Sequence, residues 1–362
     1  MRVLMKQSCI FIVFLVLFLF SATTLVGQKE KKLLAVLGAF PAKPALQVDT
    51  LEKIKLENGW RYKIKYLAED SSVIFHTPKD YIYAYLFVPF SAKFNKTPAI
   101  VAIHQDGNHN YLGYLETAGL AGDADQHYGL ELFNKGYIVI CPNRFLHAIR
   151  RRISNPDSLA DCFDQADIAE QHWVGQLQLM ARNFVNKEVY DLILSTDVLC
   201  ANTYVDKKRI GAIGHSAGGY VLAYFMFVDK RISVGVSSCG VFELVDWFAE
   251  DAIRKRNMMT VIPGLATVGR TSDFVGLISP RPFLMTRGLL EWGWGDAKQK
   301  MDSKRHVEGT QLLEKEAKKY YKAVNAENNL KTIYFDENGG QHAFPPNVKI
   351  EAYNWLDSFL KK

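Results

Sequence analysis

Arg209-Ile210-Gly211-Ala212-Ile213-Gly214-His215-Ser216-Ala217-Gly218-Gly219 is the stretch that decides the fold. Ile210 to Ile213 is a short apolar run and reads as a buried strand; Ala217 to Val228 reads as a helix. Between them lies Gly-x-Ser-x-Gly. A serine on so tight a strand-to-helix turn is held in a strained conformation with its hydroxyl projecting from the end of the sheet. The flanking glycines let strand and helix backbones pass closely. The first N–H groups of the new helix are free to meet a developing oxyanion. The motif has mechanical meaning only in this setting, and here it is joined by a late Gly-rich loop carrying His342.

The 362 residues are 48% apolar and 23% charged, an ordinary globular balance. The formal charge of +6, from 44 basic and 38 acidic residues, is scattered. No basic stripe with interleaved aromatics occurs, which argues against nucleic-acid binding. Arg2 and Lys6 precede eleven consecutive apolar residues, Ile10 to Phe20, and then Ser21 to Thr24. That is the plan of a secretory signal peptide, with an apolar core too short for a comfortable membrane span. Residues 1–27 are therefore expected to be a leader cleaved after Gly27, or after Ala22, and the mature protein to be secreted or periplasmic. The alternative is an uncleaved N-terminal anchor. Cys9 precedes the apolar core, the wrong place for a lipid-modified cysteine. Four cysteines then remain, Cys141, Cys162, Cys200 and Cys239, which export permits to pair; Cys141 and Cys239 each end a predicted strand and Cys200 lies in a predicted helix, places that suit buried free thiols at least as well.

Residues 28–80 read as an N-terminal lead-in with edge strands, and 81–362 as the catalytic domain. Strands are predicted over Trp60 to Ala68, Tyr81 to Pro89, Pro98 to His104, Tyr137 to Cys141, Arg209 to Ile213, Ile232 to Ser238, Pro282 to Thr286 and Thr332 to Phe335. Helices are predicted over Gln126 to Asn134, Gln171 to Leu199, Val307 to Val324 and Ile350 to Leu360. The spacing of Trp173, Leu177, Met180 and Phe184 carries the second, and Leu313, Ala317, Tyr320 and Val324 the third. Alternating strands and helices predict an α/β fold: a mostly parallel sheet of eight strands with helices on both faces. Residues 143–170 and 240–279 are long excursions after buried strands. Such insertions emerge at the carboxyl ends of an α/β sheet and are expected to roof the site.

A serine nucleophile needs a base, an acid to orient the base, and donors for the oxyanion, and in this architecture the chain order is Ser, acid, His. His342, in Asn338-Gly339-Gly340-Gln341-His342, is the base; His215 points away from the reacting carbonyl, and His104 orders the oxyanion loop. The acid lies past the Pro282 to Thr286 strand. Glu291 is closest to the strand end and Asp296 is the alternative, with Glu243 or Asp246 further options. Trp292 and Trp294 either line the substrate pocket or pack their loop down. The oxyanion donors are the N–H of Ala217 and that of Asp106, or of Gln105, in His104-Gln105-Asp106-Gly107. If Asp106 contributes, its carboxylate must turn away. Arg150-Arg151-Arg152, after Arg144, either grips an acidic substrate group or is a solvated face balanced by Asp157, Asp161, Asp164 and Asp167. No metal-ligand pattern is present.

Together these segments resemble the α/β-hydrolase superfamily, in particular its dienelactone-hydrolase-like and acetyl-xylan-esterase-like bacterial members. The resemblance rests on Pro98 to His104, Val205 to Gly219, Ser279-Pro280-Arg281-Pro282-Phe283-Leu284, and Gly340-Gln341-His342-Ala343-Phe344-Pro345. It implies an eight-stranded core, a triad of Ser216, an acid and His342, and no cofactor. The chain departs from the usual His-Gly with His104-Gln105, and from the usual Gly-x-x-Asp with Gly288-Leu289-Leu290-Glu291. The implied activity is hydrolysis of a carboxylic ester through an acyl-enzyme, with acylated carbohydrate as the candidate substrate. A prolyl-oligopeptidase-type peptidase and a non-catalytic binding protein on the same fold are the competing readings. A histidine base predicts activity rising through a pH of about 6 to 7.

Overall fold

The computed structural model describes residues 26–70, 79–107, 109–152, 154–155, 158–161, 163–249, 258–291 and 297–362. The predicted leader lies almost wholly outside them, as do Trp292, Trp294, Asp296, Asp157 and Cys162.

One sheet of nine strands organises the chain, in the order β1-β2-β3-β5-β4-β6-β7-β8-β9. The strands are β1 (Val48–Lys55), β2 (Gly59–Glu69), β3 (Asp80–Pro89), β4 (Thr97–Ile103), β5 (Ile138–Pro142), β6 (Val205–His215), β7 (Ile232–Ser238), β8 (Phe283–Gly288) and β9 (Leu330–Phe335). From β5 to β9 every pairing is parallel, and β1, β2 and β3 join antiparallel. The eight expected strands are all present. The ninth, β1, escapes the sequence reading because it is an edge whose side chains are almost all exposed, so no buried face imposes alternation on Val48 to Lys55.

The parallel strands are buried on both faces, and their residues divide with a period of two. Ala99, Val101 and Ile103 of β4 pack on one side with Ile138 and Ile140 of β5. Ile100, Ala102, Val139 and Cys141 pack on the other. The first face is covered by α1 (residues 26–37), α4 (Phe184–Ala201), α5 (Ala217–Val228), α6 (Thr271–Gly276) and α7 (Ala297–Ala323); the second by α2 (Tyr128–Asn134) and α8 (Pro346–Leu360). Leu33 and Leu37 of α1 are fully buried, so part of the lead-in belongs to the core.

Two helix expectations need correction. The single helix Gln171 to Leu199 is two, α3 (Phe163–Leu179) and α4. The break falls where Ala181 adopts φ 53°, and the Asn183 side chain accepts from Asn186 N–H to cap the new helix. On α7 it is Tyr321, not Val324, that is buried beside Leu313 and Ala317; Val324 is half exposed beyond the helix end.

The chain runs from β4 outward to β5 and then returns across to β6. That reversal opens a crevice at the carboxyl ends of β4 and β6, the place where α/β sheets bind ligands.

Candidate active site

Ser216 sits at the tip of β6 with φ 54° and ψ −124°, a conformation that non-glycine residues rarely adopt. It persists because its surroundings fix it. Ser216 N–H donates to Ser238 O at the end of β7 (2.8 Å), and Ser216 O accepts from Tyr220 N–H in the first turn of α5 (2.8 Å). The start of α5 also lies hard against β4: a Cβ on Gly218 would sit 2.3 Å from Ile103 O, so only glycine fits.

His342 and Glu291 arrive from two loops that touch. Leu289 N–H donates to Phe335 O (2.9 Å) and Leu290 N–H to Gly340 O (2.8 Å). Gly288 makes this possible, since a Cβ there would come within 2.3 Å of Gly340 O. His342 then bridges the pair. Its Nε2 is 2.7 Å from Ser216 Oγ, and its Nδ1 is 2.6 Å from Glu291 Oε1. Among the described residues, Glu291 is thus the one of the considered acids that lies beside His342. Glu243 instead accepts from Thr271 and Ser272 N–H at the start of α6, and Asp246 pairs with Arg270. Asp296 lies outside the described residues.

Glu291 is 1% exposed. Burial alone would raise its carboxyl, but Arg287 and then His342 overcome that and hold it down at about 2. Arg287 Nη1 lies 2.7 Å from Glu291 Oε2 as an ion pair, while Nε donates to Thr310 Oγ1 and Nη2 to Val241 O. The sequence reading missed Arg287, although its position four residues before Glu291 was the available signal.

Two neighbouring histidines, His215 and His104, are held below the ordinary imidazole range. Burial pushes His215 well below the usual range, with His342 adding to the effect; its Nδ1 faces Ser238 Oγ (2.9 Å) and its ring packs between His342 and Phe344. Burial likewise depresses His104, whose Nδ1–H donates to Gln105 O (2.6 Å) while Nε2 accepts from Arg144 N–H (2.9 Å). The Asp106 carboxylate is turned onto Arg144 (2.7 Å) and His147 (3.2 Å). The Gln105 side chain reaches out to Glu116 (3.0 Å), which is how glutamine stands where glycine is usual.

These groups open onto a cavity of about 260 Å³. Asp106, Arg144 and Glu188 form a polar wall, and Tyr220, Phe242, Met259 and Cys239 an aromatic and apolar one. Residues from both expected insertions reach it: Arg144 from the first, Phe242, Met259 and Thr260 from the second. Tyr220 OH donates to Thr260 O (2.9 Å) and its ring stacks on Phe242, tying that roof to α5. Glu188 and Tyr220 carried no motif in the sequence; only the packing brings them here.

Neither reading of the arginine run holds. Arg150 is buried and bonded to Asp80 and Asp191 (2.7 Å each), Arg152 pairs with Asp80 (3.1 Å), and Arg151 is spent on Asn110 and backbone carbonyls. Asp161 instead faces His109 and Asn110 N–H. The run is an internal clamp.

Among the described residues, one Cys/Glu/His group brings possible metal-ligand atoms within 4.8 Å: Cys239, Glu291 and His342. Two of the three are already spent on each other, and the Arg287 cation beside Glu291 opposes a second cation. Burial, and then the Glu291 charge, raise the Cys239 thiol well above its ordinary range. Cys141, Cys200 and Cys239 are free thiols.

A profile of the prolyl oligopeptidase family matches residues 177–266, which include the serine elbow. The candidate hydrolase YtaP of Bacillus subtilis (strain 168) is 23% identical over 338 residues, 92% of this chain and 99% of that one. Among solved structures, a candidate acetyl xylan esterase of Bacteroides fragilis superposes with a TM-score of 0.68 at 14% identity, covering 91% of this chain and 87% of its own. A glucuronoyl esterase from Solibacter usitatus gives 0.56 at 14% identity, covering 91% of each. The chain has the α/β-hydrolase fold.

Proposed function

We propose that this chain is a serine hydrolase of carboxylic esters, acting on acylated carbohydrate after export. The observation that carries the reading is His342 held between Ser216 Oγ and Glu291 Oε1 at 2.7 and 2.6 Å. In that arrangement His342 Nε2 takes the Ser216 proton as Oγ attacks the ester carbonyl. Glu291 keeps the other proton on Nδ1 and stabilises the imidazolium. The oxyanion is received by the N–H groups of Ala217 and of Asp106 or Gln105. Collapse expels the alcohol, which takes the proton from His342. Water, deprotonated by the same histidine, then releases the acid and regenerates Ser216. Carbohydrate is favoured because the esterases superposed above are named for acetyl xylan and glucuronoyl esters, and because the carboxylates of Asp106 and Glu188 that border the cavity suit hydroxyl groups. Trp292 and Trp294 are proposed to complete the substrate surface. Export rests on the leader in residues 1–27; among the described residues no helix is long and apolar enough to cross a membrane.

The test is labelling of the mature protein with a fluorophosphonate, followed by peptide mapping and a panel of acetylated sugars and uronate esters. Label on Ser216 with turnover of a sugar ester is the expected result. Folded wild-type protein that takes no label would overturn it. The prolyl-oligopeptidase match gives a second reading, a peptidase, and turnover of proline-containing peptides above esters would select it.

The acid is tested separately. Glu291→Gln loses the carboxylate that fixes the His342 tautomer and is expected to lower kcat about 10³- to 10⁴-fold. Asp296→Asn is expected to stay within about twofold of wild type. The reverse order of the two kcat values would reassign the acid.

A further inference from the structure

We infer that Arg144 is a positioning residue for the oxyanion loop, an inference that rests on the hydrolase reading above. Each nitrogen of this guanidinium meets an acceptor of the protein itself, and its side chain is only 4% exposed although it borders the cavity. Nη1 donates to His104 O (3.3 Å) and to Asp106 Oδ1 (2.7 Å), gripping the loop at two points two residues apart. Nε and Nη2 both meet Glu188 Oε1 (2.8 Å each), anchoring the group to α4. Arg144 backbone N–H meets His104 Nε2, so one residue holds the loop through its main chain and its side chain.

The consequence for the oxyanion follows from peptide geometry. In a trans peptide the N–H points opposite to the C=O of the preceding residue. Arg144 fixes the direction of His104 C=O and hence of Gln105 N–H. The His104 ring, itself held by Arg144 N–H, fixes Gln105 C=O and hence Asp106 N–H. Both candidate donors are therefore aimed by a frame that converges on Arg144. The same frame accounts for the Asp106 side chain: its carboxylate, adverse near an oxyanion, is drawn off by the guanidinium. Usual chains have glycine after this histidine; with Gln105 the loop is instead pinned from outside, by Glu116 on one flank and Arg144 on the other. A lysine cannot replace this grip, because a single ammonium does not present the planar fork that meets three acceptors at once.

The experiment measures kcat and KM of Arg144→Lys, Arg144→Ala and Asp106→Asn on a small neutral ester, alongside fluorophosphonate labelling of wild type and melting temperatures. A misdirected oxyanion donor is expected to lower kcat about 10- to 100-fold with KM within about threefold, somewhat less than deleting a donor outright. Arg144→Lys is expected to resemble Arg144→Ala. Asp106→Asn, which weakens one grip and keeps the shape, is expected to fall about 3- to 10-fold in kcat. Guanidinium ion at millimolar concentration is expected to restore part of the Arg144→Ala rate. A rise in KM with kcat preserved would overturn the proposal, making Arg144 a substrate contact. So would Arg144→Lys at wild-type kcat. If the Arg144 variants do not fold, Asp106→Asn decides alone: an unchanged kcat sinks the proposal. Failure of wild type to label at Ser216 is a different result and refutes the hydrolase reading instead.

Discussion

Ser216→Ala is expected to lower ester turnover by about 10⁶-fold while leaving the melting temperature within about 2 °C of wild type. The size follows from the unit character of such triads: removing the nucleophile costs nearly as much as removing all three members. What survives is the rate that oxyanion donors and binding alone provide. The unchanged stability follows from geometry. Ser216 holds φ 54° through backbone bonds to Ser238 and Tyr220 that alanine retains, and alanine meets the same strain there as serine. His342 loses its Oγ partner but keeps Glu291. Steady-state kinetics and a thermal melt on the same preparation check both halves. Residual turnover above about 1% of wild type, still tracking the purified variant, would mean that Ser216 is not the nucleophile.

Much of this site was legible because its parts lie at strand ends. Buried strands announce themselves by apolar runs, and in an α/β sheet the chemistry sits just beyond them, so Ser216, Glu291 and His342 could be placed in order along the chain. The nine-stranded sheet was legible for the same reason, except at β1, where exposure on the edge removes the signal. What the sequence could not display is pairing across long separations. Arg150 and Asp80 are 70 residues apart, and Arg144 and Glu188 are 44 apart. A run of three arginines looks alike whether it faces water or a buried carboxylate. The break between α3 and α4 was hidden too: an apolar spacing that continues through Met180 and Phe184 does not reveal the backbone turn at Ala181.

That buried pairing underlies the second large effect. Arg150→Met is expected to destabilise the fold by about 3–5 kcal/mol, lowering the melting temperature by roughly 4–7 °C. Arg150 spans three elements. It donates to Asp80 at the start of β3, to Asp191 on α4, and to Asn143 O in the loop that carries Arg144. Lys187 stands beside the same two aspartates at 2.7 and 2.6 Å. Methionine keeps much of the volume but leaves Asp80 and Asp191 with only the Lys187 ammonium and the more distant, partly exposed Arg152, with little water, and the penalty is mainly that of under-compensated buried charge. The pH dependence gives the effect its signature. Burial would raise the Asp80 carboxyl, but Arg150 and then Lys187 override it and hold it well below the carboxylate range. A carboxyl depressed in the folded state contributes stability that is present above its unfolded value, about 3.9, and is lost as pH falls below that. The gap between wild type and Arg150→Met is therefore expected to be full at pH 7 and to narrow below a pH of about 4. Thermal melts of both proteins at pH 7 and pH 3 test this. A gap of under 1 kcal/mol at pH 7, or one that widens at pH 3, would show that the cluster does not anchor β3 to α4. Because Asn143 precedes Arg144, the variant is also expected to lose some kcat at temperatures where it stays folded, linking the stability of this clamp to the aim of the oxyanion loop.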